Sequence, residues 1–187
     1  MHTGKGPFPD TLAGLALEFL SEAFRSAPGR LRRAIGGLDP DDVASGPGNG
    51  KWSIQEIVCH LADSELVGAV RFRQALSDAP EPAFPAYDQD RWAVSLDYGS
   101  RTAREADEAV ALFEMLRTST ASLLDRARPA DWARTGIHRE WGIMSVRQLL
   151  EVYADHGERH IAQILVRRAS LGKPLTMEPL IAERLYA

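Results

Sequence analysis

Three helix-start signatures, each heading a long apolar stripe, constrain this chain to a helical bundle. Ser53 with Glu56, Thr102 with Glu105, and Ser145 with Gln148 all fit the capping box. In that motif a hydroxyl accepts from the backbone N–H three residues on, and the Glu or Gln there accepts from the cap's own N–H. Behind the first box, Ile54, Ile57, Val58, Leu61, Gly68 and Phe72 recur at helical spacing to about Leu76. Behind the second come Val110, Phe113, Leu116, Thr120, Leu123 and Leu124, to about Ala127. Behind the third come Val146, Leu149, Leu150, Tyr153, Gly157, Ile161 and Ile164, stopped by Gly172 and Pro174. A fourth periodic segment precedes them all, from about Thr11 to Leu38. It carries Leu12, Leu15, Ala16, Phe19 and Ala23, then Leu31, Ala34, Ile35 and Leu38. Pro28 falls inside it, so a kink or restart is expected there. Gly36, Gly37 and Pro40 end it.

The stretches between these segments read as connections. The run Gly46-Pro47-Gly48-Asn49-Gly50 is a loop. Residues 78–100 form a long linker holding Phe84, Tyr87, Trp92 and Tyr98 together with Pro80, Pro82 and Pro85. Connections above about 15 residues are unusual in a compact domain, so the linker either crosses the bundle end or helps to build a site. Residues 129–144, with Trp132, Gly136, Trp141 and Gly142, suit a loop or short hairpin. No run of alternating strands and no internal repeat appears. The expected fold is all-α: one four-helix domain over residues 1–187, with its core at about 11–172. Residues 173–187 are expected as a short helix or strap packed outside.

Charge and cysteine usage narrow the function. With 22 Lys and Arg against 26 Asp and Glu, the net charge is −4, which argues against a nucleic-acid partner. The basic runs Arg30, Arg32, Arg33 and Arg167, Arg168 fall within helical patterns and read as solvated faces. The single cysteine, Cys59, allows neither an intrachain disulfide nor a Cys-rich zinc site, and reads as a packing residue. Met1 to Asp10 lacks the apolar run of a signal peptide, and no segment has the length and apolarity of a membrane helix. A soluble, cytoplasmic protein with no membrane partner is expected.

Histidine placement carries the chemistry. His2 and His138 fall in a terminus and a loop; the other three lie on helical segments. His156 and His160 are spaced i, i+4, which stacks both rings on one helical face with β-carbons about 6 Å apart. Two imidazoles so placed can converge on one ion at about 2.0–2.1 Å from each nitrogen, if the ion is zinc. Gly157 between them lets a backbone or ligand approach closely. Each histidine also has a plainer reading, a core residue with its ring hydrogen-bonded. Spacing by itself leaves His60 open. It flanks the stripe of the second helix, and in an up-and-down bundle the second and fourth helices run parallel. His60 would then lie roughly 10 Å from its helix start and the pair roughly 16–22 Å from theirs, so a stagger or large crossing angle would be needed.

The motifs around these histidines resemble a known family. Lys51-Trp52-Ser53-Ile54-Gln55-Glu56-Ile57-Val58-Cys59-His60-Leu61-Ala62-Asp63-Ser64 is similar to the second-helix signature of the DinB/YfiT-like metalloenzymes. Arg71-Phe72-Arg73 and the segment Pro85-Ala86-Tyr87-Asp88-Gln89-Asp90-Arg91-Trp92 resemble its YfiT branch. Tyr153 to Ile164, with His156-Gly157-Glu158-Arg159-His160, resembles its last-helix motif. The likeness covers about Leu31 to Leu171. It implies a four-helix bundle of mirror up-and-down topology with a long linker between helices 2 and 3. It also implies a divalent metal, nickel or zinc, on His60, His156 and His160. Relatives of this kind include hydrolases, bacillithiol S-transferases and mycothiol-dependent enzymes. The resemblance therefore implies a metal-dependent hydrolase or thiol S-transferase, with water or a low-molecular-weight thiol attacking a small electrophile.

The residues around the triad are read more plainly. Position 157 is Gly, so the HExxH general base is missing and no catalytic side chain is assigned. Asp63 and Asp155 could orient rings but are read as surface charge, and Glu158 and Arg159 as a solvated pair. Tyr87, Asp88, Arg91 and Trp92 either line a pocket mouth or pin the linker to the bundle; pinning is the reading adopted. The lack of a general base motivates an alternative: a non-catalytic metal-binding dimer or stress-response binding module. A homodimer is expected in either case.

Overall fold

The computed structural model describes residues 12–48, 50–77, 80–182 and Leu185. The Met1–Asp10 segment, His2, Thr11 and part of the C-terminal strap lie outside the described residues. The elements are α1 (Leu17–Ile35), α2 (Pro40–Ala44), α3 (Ile54–Ser77), α4 (Gln89–Ser95), α5 (Ala103–Leu124), β1 (Thr135–His138), β2 (Gly142–Ser145) and α6 (Val146–Ser170), with short 3-10 turns at Tyr98–Ser100 and Pro129–Ala133. Helices α1, α3, α5 and α6 form the expected four-helix bundle. All three capping boxes close: Ser53 with Glu56, Thr102 with Glu105, and Ser145 with Gln148.

Side-chain pairings fix the helix directions. On α3 and α6, the backbone of Trp52 meets Arg167, His60 meets His156, and Arg71 meets Tyr153. Residue numbers rise on one helix as they fall on the other, so the pair is antiparallel. On α1 and α6, Leu15 meets Arg147, Arg30 meets Glu158, and Ala34 meets Arg168, so that pair is parallel. Glu65 with Arg117 and Arg73 with Ser119 make α3 and α5 parallel. The order is up, down, down, up. The helices that pack together are α1 with α6, α6 with α3, α3 with α5, and α5 with α1. The antiparallel run of α3 and α6 corrects the expectation of parallel second and fourth helices. It also removes the axial offset that kept His60 from the pair.

This topology explains the long linker. Two parallel neighbours need a connection that returns the full length of a helix, about 36 Å for the span of α3 at 1.5 Å per residue. Residues 80–102 make that return alongside the bundle. They are not structureless: α4 lies within them, capped by Asp88 on the Arg91 N–H. The linker is fastened by Phe84 N–H donating to the Ile137 carbonyl, Ile137 N–H to the Pro82 carbonyl, and Arg71 to the Pro85 carbonyl. Residues 135–145 form the hairpin, with Ile137 opposite Ile143.

Two apolar clusters fill the bundle. One gathers Leu20, Phe24, Phe72, Met144, Leu149 and Tyr153; the other gathers Leu31, Ile57, Leu61, Val110, Phe113 and Ile161. Between them runs a buried polar layer: Glu65, Arg117, Asp155 and Glu158, none more than 1% exposed. Arg117 sits at its centre. Its Nη2 donates to Glu65 Oε2 at 2.6 Å and to the Tyr153 carbonyl at 3.3 Å, and its guanidinium lies 4.0 Å from the Phe24 ring centroid.

Several expectations need correction. α1 runs unbroken through Pro28, with no restart. The proline ring has no N–H for the Phe24 carbonyl four residues back, and Arg117 Nη1 donates to that oxygen at 3.3 Å instead. Because α1 starts at Leu17, residues 12–15 form a turn and the stripe changes phase. Leu20, Phe24 and Ala27 are buried, whereas Phe19 is 39% exposed. Asp155 and Glu158 are buried, not surface charge. Glu158 accepts from Arg30 and from the Leu180 N–H, so it is paired with Arg30 across helices and not with Arg159. Asp155 accepts from the Leu185 N–H, and Arg159 lies 4.0 Å from it. Those contacts draw the C-terminal strap inward: Ile181 and Leu185 join the core rather than packing outside it.

Candidate metal centre

His60 enters from the second turn of α3, and His156 and His160 enter from the middle of α6. Gly68 lets the two helices close on each other: a β-carbon there would lie 2.4 Å from Tyr153 Cε1. The three rings meet at their Nε2 atoms. His156 Nε2 is 2.9 Å from His60 Nε2 and 3.1 Å from His160 Nε2. Among the described residues these three form a group able to hold a metal ion, with ligand atoms all within 4.8 Å of one another. His60 is fully buried, while His156 and His160 are partly exposed, so the cluster opens on the α6 side.

The outward nitrogens decide what the inward ones carry. His160 Nδ1 lies 2.8 Å from Gln163 Oε1. An amide oxygen only accepts, so Nδ1 bears the proton and Nε2 presents a lone pair. His60 Nδ1 lies 2.9 Å from the Tyr87 hydroxyl. Tyr98, in the turn before α5, donates to Asp63 Oδ2 at 2.5 Å. His156 Nε2 faces the Nε2 atoms of both other rings, and the three nitrogens crowd one point with the His160 lone pair among them. A cation resolves that clash, and three neutral imidazoles are the donor set that zinc and nickel take.

Electrostatics point the same way. Burial, together with facing His160, pushes His60 down to about 3. His160 falls to about 4, again chiefly by burial. His156 lies well below the ordinary histidine range, through burial and then the neighbouring His160, His60 and Arg117. All three rings are neutral at pH 7, as metal ligation requires. Burial raises both Tyr87 and Tyr98, so these hydroxyls keep their protons. Trp52 closes one wall, its ring 4.9 Å from that of His60 and stacked over His160 at 6.4 Å.

The resemblance-based triad is thus brought together. His138 is elsewhere, buried on β1 and stacked on Trp141 at 4.5 Å. Cys59 is buried, and its thiol is pushed up to about 11 by that burial. Tyr87 goes beyond pinning the linker, since its hydroxyl meets a candidate ligand. Tyr98 was named only among the linker aromatics, and Gln163 was not singled out from sequence. The available signal was spacing: Asp63 and Gln163 each stand three residues after a histidine, on the same helical face.

The DinB superfamily profile matches residues 23–164, most of the chain. The chain belongs to the DinB superfamily. Among similar proteins, one from Bacillus licheniformis is 31% identical over 149 residues, covering 79% of this chain and 82% of that protein. One from Oceanobacillus iheyensis is 26% identical over 161 residues, covering 86% and 91%. Both carry the name "putative metal-dependent hydrolase". The fold is similar to that of YfiT from Bacillus subtilis, described as "a probable metal-dependent hydrolase with an unusual four-helix bundle topology". The TM-score is 0.75 at 23% identity, over 85% of this chain and 91% of that one.

Proposed function

We propose that this protein is a metal-dependent enzyme whose single divalent ion, zinc or nickel, is held by His60, His156 and His160. The observation that carries the proposal is the convergence of three Nε2 atoms on one point. The ion would supply Lewis acidity and lower the pKa of a water or thiol bound beside it. The chain's part is to hold the His60 and His160 rings by their outward nitrogens, to keep all three rings neutral by burial, and to leave the α6 side open. The substrate proposed is a small electrophile, attacked by water or by a low-molecular-weight thiol.

The carboxylates nearest the triad in sequence favour the thiol. Asp63 accepts from Tyr98, Asp155 from the Leu185 N–H, and Glu158 from Arg30 and the Leu180 N–H. Each is committed to a structural partner, so none is placed to act as a general base. A thiol, with an ordinary pKa of about 8.5, needs far less help to ionise than water at about 15.7. The same observation favours the second reading, a metal-binding module without turnover. Metal analysis of protein purified without a chelating tag tests the centre; protein free of metal and without affinity for nickel or zinc overturns it. Turnover of a chloro-aromatic electrophile with bacillithiol, glutathione or cysteine separates enzyme from module.

A cytoplasmic enzyme with no nucleic-acid or membrane partner is proposed on the net charge of −4. Among the described residues no helix is long and apolar enough to cross a membrane. A homodimer is supported by the outer face of α3 and α5, where Leu66, Val70, Leu112 and Met115 are exposed. Light scattering tests it, and a monomer at micromolar concentration overturns it.

A further inference from the structure

We propose that Arg71 is a carboxylate-binding residue that receives the acid group of the thiol in the reaction proposed above. The assignment deepens that reading and rests on it. Arg71 lies on α3, 6% exposed, at the seam with α6 and the linker. Nη1 donates to the Tyr153 hydroxyl at 3.2 Å, and Nη2 donates to the Pro85 carbonyl at 2.8 Å. Nε is buried and has no hydrogen-bond partner among the described residues. Nor does any described carboxylate pair with this guanidinium: Glu65, on the same helix, is committed to Arg117, and Asp63 to Tyr98. Burial raises the Tyr153 phenol, so it stays protonated and supplies no counter-charge.

A phenol and a carbonyl do not call for a cation. A neutral amide would serve both, without the cost of burying an unpaired charge. The edge formed by Nε and Nη2 shows what the charge suits. Arg30, Arg32 and Arg128 each turn that edge to a carboxylate, with both nitrogens donating. This is the bidentate pairing that the guanidinium fork matches. In Arg71 the same edge gives one nitrogen to a neutral carbonyl, on a stretch of linker without regular structure. A carboxylate entering from the linker side takes Nε, and shares or displaces the Pro85 carbonyl at Nη2.

The position suits a molecule that also reaches the metal centre. Tyr153 stands one turn before His156 on α6, and Pro85 stands just ahead of Tyr87, whose hydroxyl meets His60 Nδ1. Those steps, about 5 Å along a helix and up to about 7 Å along extended chain, put the acid on the order of 10 Å from a sulfur at the triad. Cysteine, whose acid group is only two carbons from its sulfur, is too short for that span. A peptide or conjugate thiol with a remote carboxylate is the class that fits.

The first measurement follows the melting temperature of metal-free protein against sodium acetate and sodium chloride at equal ionic strength. Acetate should raise it by about 3–5 °C for each tenfold rise above its dissociation constant, and chloride should not. Arg71→Lys, which keeps the charge but loses the fork, should lose the response. The second compares KM for glutathione and its diethyl ester in nickel-loaded protein, with one chloro-aromatic electrophile. The sulfur bonds to the ring carbon, chloride leaves, and the thiol proton passes to solvent. The ester should have a KM about tenfold higher or more, the value of a charged hydrogen bond. Arg71→Lys should narrow the gap between acid and ester, whereas a merely structural role would move both alike. Both comparisons are read on the wild type, so they stand even where the variant folds poorly. Equal responses to acetate and chloride, or equal KM values for acid and ester, overturn the proposal. If no thiol is turned over, the enzyme reading falls by itself, and the acetate response alone decides whether Arg71 binds a carboxylate.

Discussion

Gly68 lies directly beneath the ring of Tyr153, so close that a β-carbon at 68 would stand 2.4 Å from Cε1 and 2.5 Å from Cζ. The ring has nowhere simple to go. It is buried, packs on Phe72 at 5.7 Å, and its hydroxyl accepts from Arg71 Nη1 at 3.2 Å. In an exposed helix, Gly→Ala would gain about 0.5–1 kcal/mol. At position 68 the sign should reverse, with a loss of about 1–3 kcal/mol from overpacking. Thermal unfolding in chelator checks this, and a raised melting temperature would count against the close approach of α3 and α6.

The Arg117–Glu65 pair should behave as a unit. Arg117→Met strands a fully buried carboxylate and also frees the Phe24 carbonyl that Pro28 cannot serve. The expected loss is about 3–5 kcal/mol. Pairing it with Glu65→Leu removes both charges, and the double variant should be more stable than Arg117→Met alone. Urea unfolding of the two single variants and the double variant reads the coupling; simple additivity would sink the idea.

Metal should stabilise the folded chain through the three histidines alone. At a hundredfold excess over the dissociation constant, nickel or zinc should add about 2.7 kcal/mol. His156→Ala removes the nitrogen that faces both others, so its melting temperature should not respond to added metal. A metal response of wild-type size in that variant would mean the ion binds elsewhere.

Acid should weaken the metal-free protein earlier than carboxylate titration would. An unfolded histidine takes a proton near pH 6.5, whereas folded His160 waits until about 4 and His60 until about 3. Between those values the unfolded state binds more protons, so stability is full above about pH 6.5 and falls as pH drops. The slope approaches about 1.4 kcal/mol per pH unit for each histidine. Urea unfolding in chelator at pH 7, 6 and 5 measures it. A flat profile across that window, where carboxylates barely titrate, would show that these rings are not buried in neutral form.

Much of the bundle was legible because helix starts and stripes are local signals. Ser53, Thr102 and Ser145 mark their helices by chemistry confined to four residues. The stripe of α6 was read without a miss. What failed depended on partners distant in sequence. Arg117 occupies a stripe position, four residues after Phe113, and Glu65 stands four after Leu61. Spacing points both inward, but neither was read as core, because a charge on a stripe makes sense only once its partner is known. Helix direction was similarly hidden, since capping boxes say where a helix begins and nothing about where it points. That gap kept His60 apart from His156 and His160 on spacing alone. Glu158 and Asp155 were misread for a related reason: their partners come from α1 and from the strap beyond α6.

The up-down-down-up arrangement bears on how quickly the chain finds its fold. In most helical bundles consecutive helices pack together, contacts are local, and folding takes microseconds to milliseconds. Here the consecutive bundle helices α1 and α3 are not among the packed pairs, nor are α5 and α6. The pairings that complete the core join chain ends, such as Arg30 with Glu158 and His60 with His156. Loop-closure entropy must be met before those contacts form. This all-helical protein should therefore fold on the timescale of a mixed α/β domain. Its α3–α5 half, joined by the linker, is the natural place for structure to start, and docking of α6 is the late event that assembles the three imidazoles.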